Sequence, residues 1–274
     1  PEYLHRLLGR SIGVLVAVPC AFFLYKKVLG RRLVRRLVLL FALGGLQGLM
    51  GWLMVASGLV DAPHVSHYRL TLHLGLGFLL FGYATWLAIE QTLGGFVITG
   101  GWPRLRRAVV AFTAVAGVTA LSGGLVAGLR AGHGFPTFPL MAGAWVPAGL
   151  TALSPTWRNG FDTVITVMFQ PRVLGVAVLV FAIAMAIAAR TSAVPRHARI
   201  GFDLIVATVF AQVTLGIATV LMHVPVAIAS AHQGNAALVF AAALYTSYAL
   251  GRWPEQMELP EGFRSTPDAV PQAT

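Results

Sequence analysis

Acidic residues are scarce in this chain: nine Asp and Glu stand among 274 residues, against 20 Lys and Arg. Charged residues of both signs make up only 11%, where a soluble domain carries about 25%. A water-exposed fold is excluded on that ground, and a mean hydropathy of +0.76 agrees. Cysteine is nearly absent. Cys20 is alone, so no internal disulfide can form, and its place within an apolar run reads as a small apolar filler. The short alternating segments of a membrane β-barrel are missing as well. No secretory or transit leader is read in the sequence, and because Pro1, without an initiator Met, opens directly on a motif, the chain is expected to be a fragment.

What is abundant is apolar sequence, 57% of the chain. A membrane helix needs about 20 apolar residues, and seven such runs can be drawn: Ser11–Val28, Leu37–Leu59, Leu70–Ile89, Ala108–Leu129, Val164–Ala189, Phe202–Val224 and Val226–Leu250. Their length, rather than their periodicity, separates spans from buried helices. The fold class is therefore an all-α integral membrane protein with seven transmembrane helices. The net charge of +11 does not make a nucleic-acid face, because the basic residues sit at span ends. Lys26, Lys27, Arg31, Arg32, Arg35 and Arg36 crowd one connection, Arg104, Arg106 and Arg107 another, and Arg190, Arg196 and Arg199 a third, while 60–68 and 223–230 hold no Lys or Arg. By the positive-inside rule the basic connections face the cytoplasm or matrix and the chain start lies outside. The acidic, proline-bearing stretch 253–274 then reads as a disordered cytoplasmic tail.

The chain also repeats itself. Gln47…Gly51 and Gln212…Gly216 share a Q-x-x-x-G, and Arg6 with Gly9 recurs as Arg172 with Gly175 at almost the same offset. His5 and His73 in the first half face Pro171 and His232 in the second. Residues 101–252 hold four spans and 1–100 only three, so the expected parent has eight helices in two tandem four-helix bundles, with the first helix missing. Repeats of this kind place ligands within or between the repeated units. The long outer connection from Ala131 to Gly160, with Gly, Pro, Trp145 and Trp157, suits an interfacial lid or a plain connector.

Ionisable groups inside a bilayer are functional hypotheses by default. His5, His73 and His232 fall in the outer parts of their spans at equivalent depth, and neutral imidazole is a standard axial ligand for haem iron. His5, Gly9 and Gly13 share one helix face, as do His73 and Gly77; small residues there admit either a flat porphyrin or close helix packing. Arg6, Arg69 and Arg172 lie on the side where positive charge is otherwise thin, and Arg pairs well with carboxylates such as propionates. Arg10 and Arg158 suit snorkelling to headgroups. Glu2, nearly one turn before His5, can move protons or stabilise a developing positive charge, or simply favour the helix dipole. His64, His67, His133, His197 and His223 read as solvated or interfacial, and Glu90 and Asp203 as charges at inner span ends, where charge is cheap.

On these residues the chain resembles haem A synthase. The stretches Glu2-Tyr3-Leu4-His5-Arg6-Leu7-Leu8-Gly9-Arg10, Leu43-Gly44-Gly45-Leu46-Gln47-Gly48-Leu49-Met50-Gly51-Trp52, Val65-Ser66-His67-Tyr68-Arg69-Leu70-Thr71-Leu72-His73, Val126-Ala127-Gly128-Leu129-Arg130-Ala131-Gly132, Phe138-Pro139-Leu140-Met141 and His232-Gln233 carry the likeness. It looks like the class shared by proteobacteria and mitochondria, which lacks a loop cysteine pair. The resemblance implies an oxidoreductase that converts the C8 methyl of haem O to a formyl group, giving haem A for cytochrome oxidase. It implies Glu2 as the catalytic residue, His5 and His73 facing the substrate haem, and His232 as a ligand of a haem b cofactor in the second half. A bacterial inner (cytoplasmic) membrane is the expected site, ahead of the mitochondrial one. Expected partners are haem O, membrane lipid, an electron donor, haem O synthase and a second copy of the chain. The sequence departs from the family where a ligating histidine is usual and Pro171 stands, in Val167-Met168-Phe169-Gln170-Pro171-Arg172, and again at Pro136 and Ala142. Proline cannot ligate iron, so the second-half haem is expected to be lost or five-coordinate on His232. A non-catalytic haem carrier in oxidase assembly is the alternative.

Overall fold

A computed structural model describes residues 2–58, 66–93 and 102–251, with the side chains of Glu2 and 56–58 outside that description. The helices are α1 (Glu2–Tyr25), α2 (Arg31–Gly58), α3 (His67–Leu93), α4 (Pro103–Gly128), the single turn α5 (Asn159–Asp162), α6 (Val164–Arg190), α7 (Arg196–Leu221) and α8 (Val226–Gly251). Seven of them are long and apolar enough to cross a membrane, so the protein is a multi-pass membrane protein. Each expected span is present. The first begins nine residues before Ser11, because a helix in lipid must satisfy its backbone internally and so continues through the polar interfacial turn that holds His5 and Arg6. At the other end α7 stops at Leu221 rather than Val224. His223 and Val224 both take left-handed backbone angles, φ 61° each, ahead of Pro225, a conformation that is costly for a β-branched residue.

Helices α4, α6, α7 and α8 pack in a closed ring, each against two neighbours, and α3 lies against both α4 and α8 with α2 outside it. The apolar core of the ring is built from Leu105, Val109 and Phe112 of α4, Ala182 and Met185 of α6, Phe202, Ile205 and Val209 of α7, and Val239, Ala242 and Ala243 of α8. All lie between the middle of their helices and the ends at the basic connections, so the ring is packed tightly toward its inner end. His5, His73 and His232 lie toward the outer ends instead, near the N-terminal ends of α1, α3 and α8. Hydroxyls within the spans are satisfied locally: Thr113, Thr119, Thr208, Thr219 and Thr246 each donate to the carbonyl four residues earlier, which removes the cost of placing an O–H in lipid.

The connection from Ala131 to Gly160 is an ordered outer cap. Asn159 is buried and organises it: its Nδ2 donates to the carbonyls of Leu153 and Thr156, and its Oδ1 accepts from the Leu153 N–H. Trp145 and Trp157 remain exposed, as aromatic residues at a headgroup boundary do.

A candidate paired-histidine site in the outer half

α1 and α3 bring His5 and His73 together. Their ring centroids are 6.4 Å apart and their planes nearly perpendicular, at 76°. His5 is exposed and His73 half-buried. Gly9 and Gly13, below His5 on the same face, have no atom within 4 Å of where a Cβ would stand, so that face is open. Gly77 is used differently: a Cβ there would lie 3.3 Å from Gln47 Nε2, so its missing side chain admits the Gln47 amide rather than a porphyrin face. Glu2 opens the same helix, but its side chain lies outside the described residues.

The repeated Q-x-x-x-G proves to be a histidine seat. Gln47 Nε2 lies 3.4 Å from His73 Nε2, and a Cβ on Gly51 would meet His73 Cε1 at 3.2 Å. In the second half Gln212 Nε2 lies 3.3 Å from His232 Nε2, and a Cβ on Gly216 would meet His232 Cε1 at 2.9 Å. One helix of each pair thus supplies an amide to grip the imidazole and, one turn on, a glycine to make room for it. His232 further places Nδ1 3.1 Å from the Gln212 carbonyl oxygen. A carbonyl only accepts, so that nitrogen carries the proton, and Nε2 is the nitrogen able to meet a metal. That pairing of ring N–H with backbone carbonyl is usual for metal-ligating histidine, and the donor set fits a haem.

Around Pro171 the neighbouring side chains are already engaged. Gln170 donates to the Gly160 carbonyl at 3.0 Å. Met168 is buried with Ala131 and Met141 beneath the cap. Arg172 donates from Nη1 to the Thr137 carbonyl at 2.8 Å and from Nη2 to the Phe135 carbonyl at 2.9 Å, while its Nε is buried without a partner. The second-half arginine of the repeat thus holds the outer cap down, a role its sequence position did not suggest. Arg6 and Arg69 lie exposed at the outer ends of α1 and α3.

A second polar cluster ties the cap to α3. Asp162 accepts from Tyr68 Oη at 2.6 Å and from Arg158 Nε at 3.1 Å, and stands 3.2 Å from His67 Nε2. These bonds, the Tyr68 one foremost, hold the Asp162 carboxyl below its usual range. His67 and Arg158, read from sequence as solvated and as headgroup-facing, are instead partners of one carboxylate. At the opposite end Glu90, read from sequence as a charge at an inner span end, is buried and paired with Arg36 of α2.

The profile of a family described as "cytochrome oxidase assembly protein" (COX15-CtaA) matches residues 1–244. The chain belongs to this family. A protein of Nitrosospira multiformis named haem A synthase is 42% identical over 92% of the chain and 71% of its own length. One of the same name from Nitrosomonas eutropha is 41% identical over 89% and 69%, and one from Parvibaculum lavamentivorans 46% identical over 62% and 49%. The chain thus spans between about half and about seven tenths of the length of these relatives. Within this cytochrome oxidase assembly family member, sequence patterns alone singled out His5, His73 and His232 as candidates, and the fold brings the first two together. The seat residues Gln47, Gly51, Gln212 and Gly216 were visible only as a repeat, their purpose supplied by the packing of α2 on α3 and α7 on α8. Asp162 gave no signal, because its partners His67 and Tyr68 are distant in sequence; nor did Asn235, which donates to the Thr208 carbonyl and to Gln212 Oε1.

Proposed function

We propose that the chain is a haem A synthase, a membrane oxidoreductase of the bacterial inner membrane that oxidises the C8 methyl of haem O to a formyl group for cytochrome oxidase. The His5–His73 geometry carries this reading. One iron between two imidazole nitrogens, at about 2 Å per bond as in other metal–imidazole pairs, sets ring centroids roughly 6 Å apart, and these stand at 6.4 Å. The two histidines would hold the substrate haem O on the outer side, with Arg6 and Arg69 meeting its propionates and Glu2 acting at the reacting edge. His232 would hold a haem b through Nε2, its orientation kept by the Nδ1–H bond to the Gln212 carbonyl. Bound haem supplies the redox chemistry; the protein supplies position and exclusion of water. Arg172 acts on the outer cap over this region and is the second-half counterpart of Arg6.

Engagement of Gln170 and Met168 elsewhere leaves His232 without a ligand from the α6 turn around Pro171, and this favours one rival, a haem carrier serving oxidase assembly. Expression beside a haem O producer, followed by haem extraction, separates the two. Formyl haem in the extract supports the synthase; unchanged haem O bound to the protein establishes the carrier. An electron donor, haem O synthase and a second copy of the chain are the partners such a role calls for.

A further inference from the structure

The two histidine seats are built alike but are not finished alike. In the second half, Asn235 Nδ2 donates to the Thr208 carbonyl at 2.8 Å and to Gln212 Oε1 at 2.8 Å. With its oxygen committed to Asn235, the Gln212 amide must turn its NH2 toward His232, whose Nε2 lies 3.3 Å away. An NH2 only donates, so Nε2 is the acceptor and bears no proton. The contact of Nδ1 with the Gln212 carbonyl, at 3.1 Å, requires the proton on Nδ1. Side chain and backbone therefore demand the same neutral tautomer, an assignment fixed by the network rather than by the ring itself.

The first half has the glutamine and the glycine but not the rest. Leu76 stands three residues after His73, where Asn235 stands three after His232. Leucine has no donor, and Gln47 Oε1 and His73 Nδ1 are both buried without a partner. An amide is nearly the same shape at either end, so Gln47 can present Nε2 or Oε1, and His73 can answer with either tautomer.

We propose that Asn235 is a positioning residue that acts through Gln212 to fix His232 with its proton on Nδ1 and Nε2 as the ligating nitrogen, and that Leu76 leaves His73 unfixed. The duplicated frame then holds one set imidazole and one adjustable imidazole. His232 would offer Nε2 to a haem iron at the loss of a single neutral N–H···N contact, its Nδ1–H bond to the Gln212 carbonyl being kept. A set ligand suits a group that is kept; an adjustable one suits a group that must enter and leave. The part of this inference concerning iron rests on the haem reading above, whereas the tautomers do not.

The test uses the full chain in lipid nanodiscs with 15N-labelled histidine, comparing wild type, Asn235→Leu and Leu76→Asn. In the wild type His232 is expected in one tautomer and His73 in both. Asn235→Leu should free the Gln212 amide to turn Oε1 toward His232, so that an Nε2–H tautomer appears as a minor population beside the one the Gln212 carbonyl still favours, and Leu76→Asn should reduce His73 to one. Because Leu76→Asn adds a bond where Asn235→Leu removes one, misfolding of either variant leaves the other informative. A mixed His232 in the wild type, or a single one in Asn235→Leu, overturns the proposal. In a His73→Ala background, haem loss to apomyoglobin should quicken about tenfold in Asn235→Leu, the scale on which partners of metal ligands act. Tautomers as expected with haem loss unchanged would overturn the ligand role of His232 and leave the lock standing.

Discussion

Pro171 is the residue at which the two halves diverge most in chemistry. Its ring nitrogen is sealed in the peptide bond and has no N–H, yet α6 continues through it from Val164 to Arg190. Neighbouring replacements are ruled out by their own contacts: Gln170 serves the Gly160 carbonyl and Met168 the small apolar cluster under the cap. Pro171→His should therefore raise haem content and add a low-spin bis-histidine signal in optical and EPR spectra that survives His73→Ala and is lost in His232→Ala. No gain in haem would show that the pocket no longer accepts a second ligand from α6. Glu2 is the complementary case in the first half. Replacing it by Gln keeps the shape and removes the charge, so haem O should still co-purify while the formyl product falls by at least about 100-fold, the lower scale of general acid–base contributions. An unchanged product yield would reduce Glu2 to helix-end electrostatics.

Between elements, two polar ties lie at opposite membrane faces, one joining α2 to α3 and the other joining α3 to the cap. Glu90 on α3 is buried beside the Arg36 guanidinium of α2, and Tyr83 donates to the Arg36 carbonyl nearby. Removing one partner of such a pair leaves an uncompensated buried charge, costing about 3–5 kcal/mol. Arg36 is partly exposed, so Arg36→Ala belongs at the lower end of that range. The double variant Arg36→Ala/Glu90→Leu should recover much of the loss in thermal unfolding; equal destabilisation of the two would mean that the pair contributes no buried charge. At the outer face, Asp162 joins Tyr68 and His67 of α3 to Arg158 of the cap. Its carboxyl is held below the ordinary range, so the folded state binds a proton less readily than the unfolded chain. The tie is thus complete above the usual carboxylate range and is lost as pH falls through the lowered value. Acidification should open the 131–160 cap to protease and change Trp157 fluorescence in the wild type. Asp162→Asn should already be open at neutral pH and show little further change.

Across the whole molecule, the fold was largely legible because continuous apolar length is a direct consequence of bilayer thickness. Helix ends were less so: Arg6 and Arg10 broke the apolar run and hid the true start of α1. The histidines announced themselves through the cost of polar groups in lipid, and the repeat through matching spacings. What could not be read were pairings across long sequence separations, such as Glu90 with Arg36 or Asp162 with Tyr68, since either partner alone looks like an ordinary interfacial charge. Sidedness is the property on which the placement of every site depends, and it rests on the basic connections. Lys26 to Arg36, Arg104 to Arg107 and Arg190 to Arg199 all fall at one end of the helix array, and such loops resist translocation. The tightly packed apolar core lies toward that same end, leaving the histidine layer and the cap at the other. In a Cys20→Ser background, Trp157→Cys, exposed on the cap, should react with a membrane-impermeant maleimide applied to intact spheroplasts. His197→Cys, at the start of α7 between Arg196 and Arg199, should react only after permeabilisation. The reverse pattern would place His5, His73 and His232 near the cytoplasmic face and would require haem to reach them from that side.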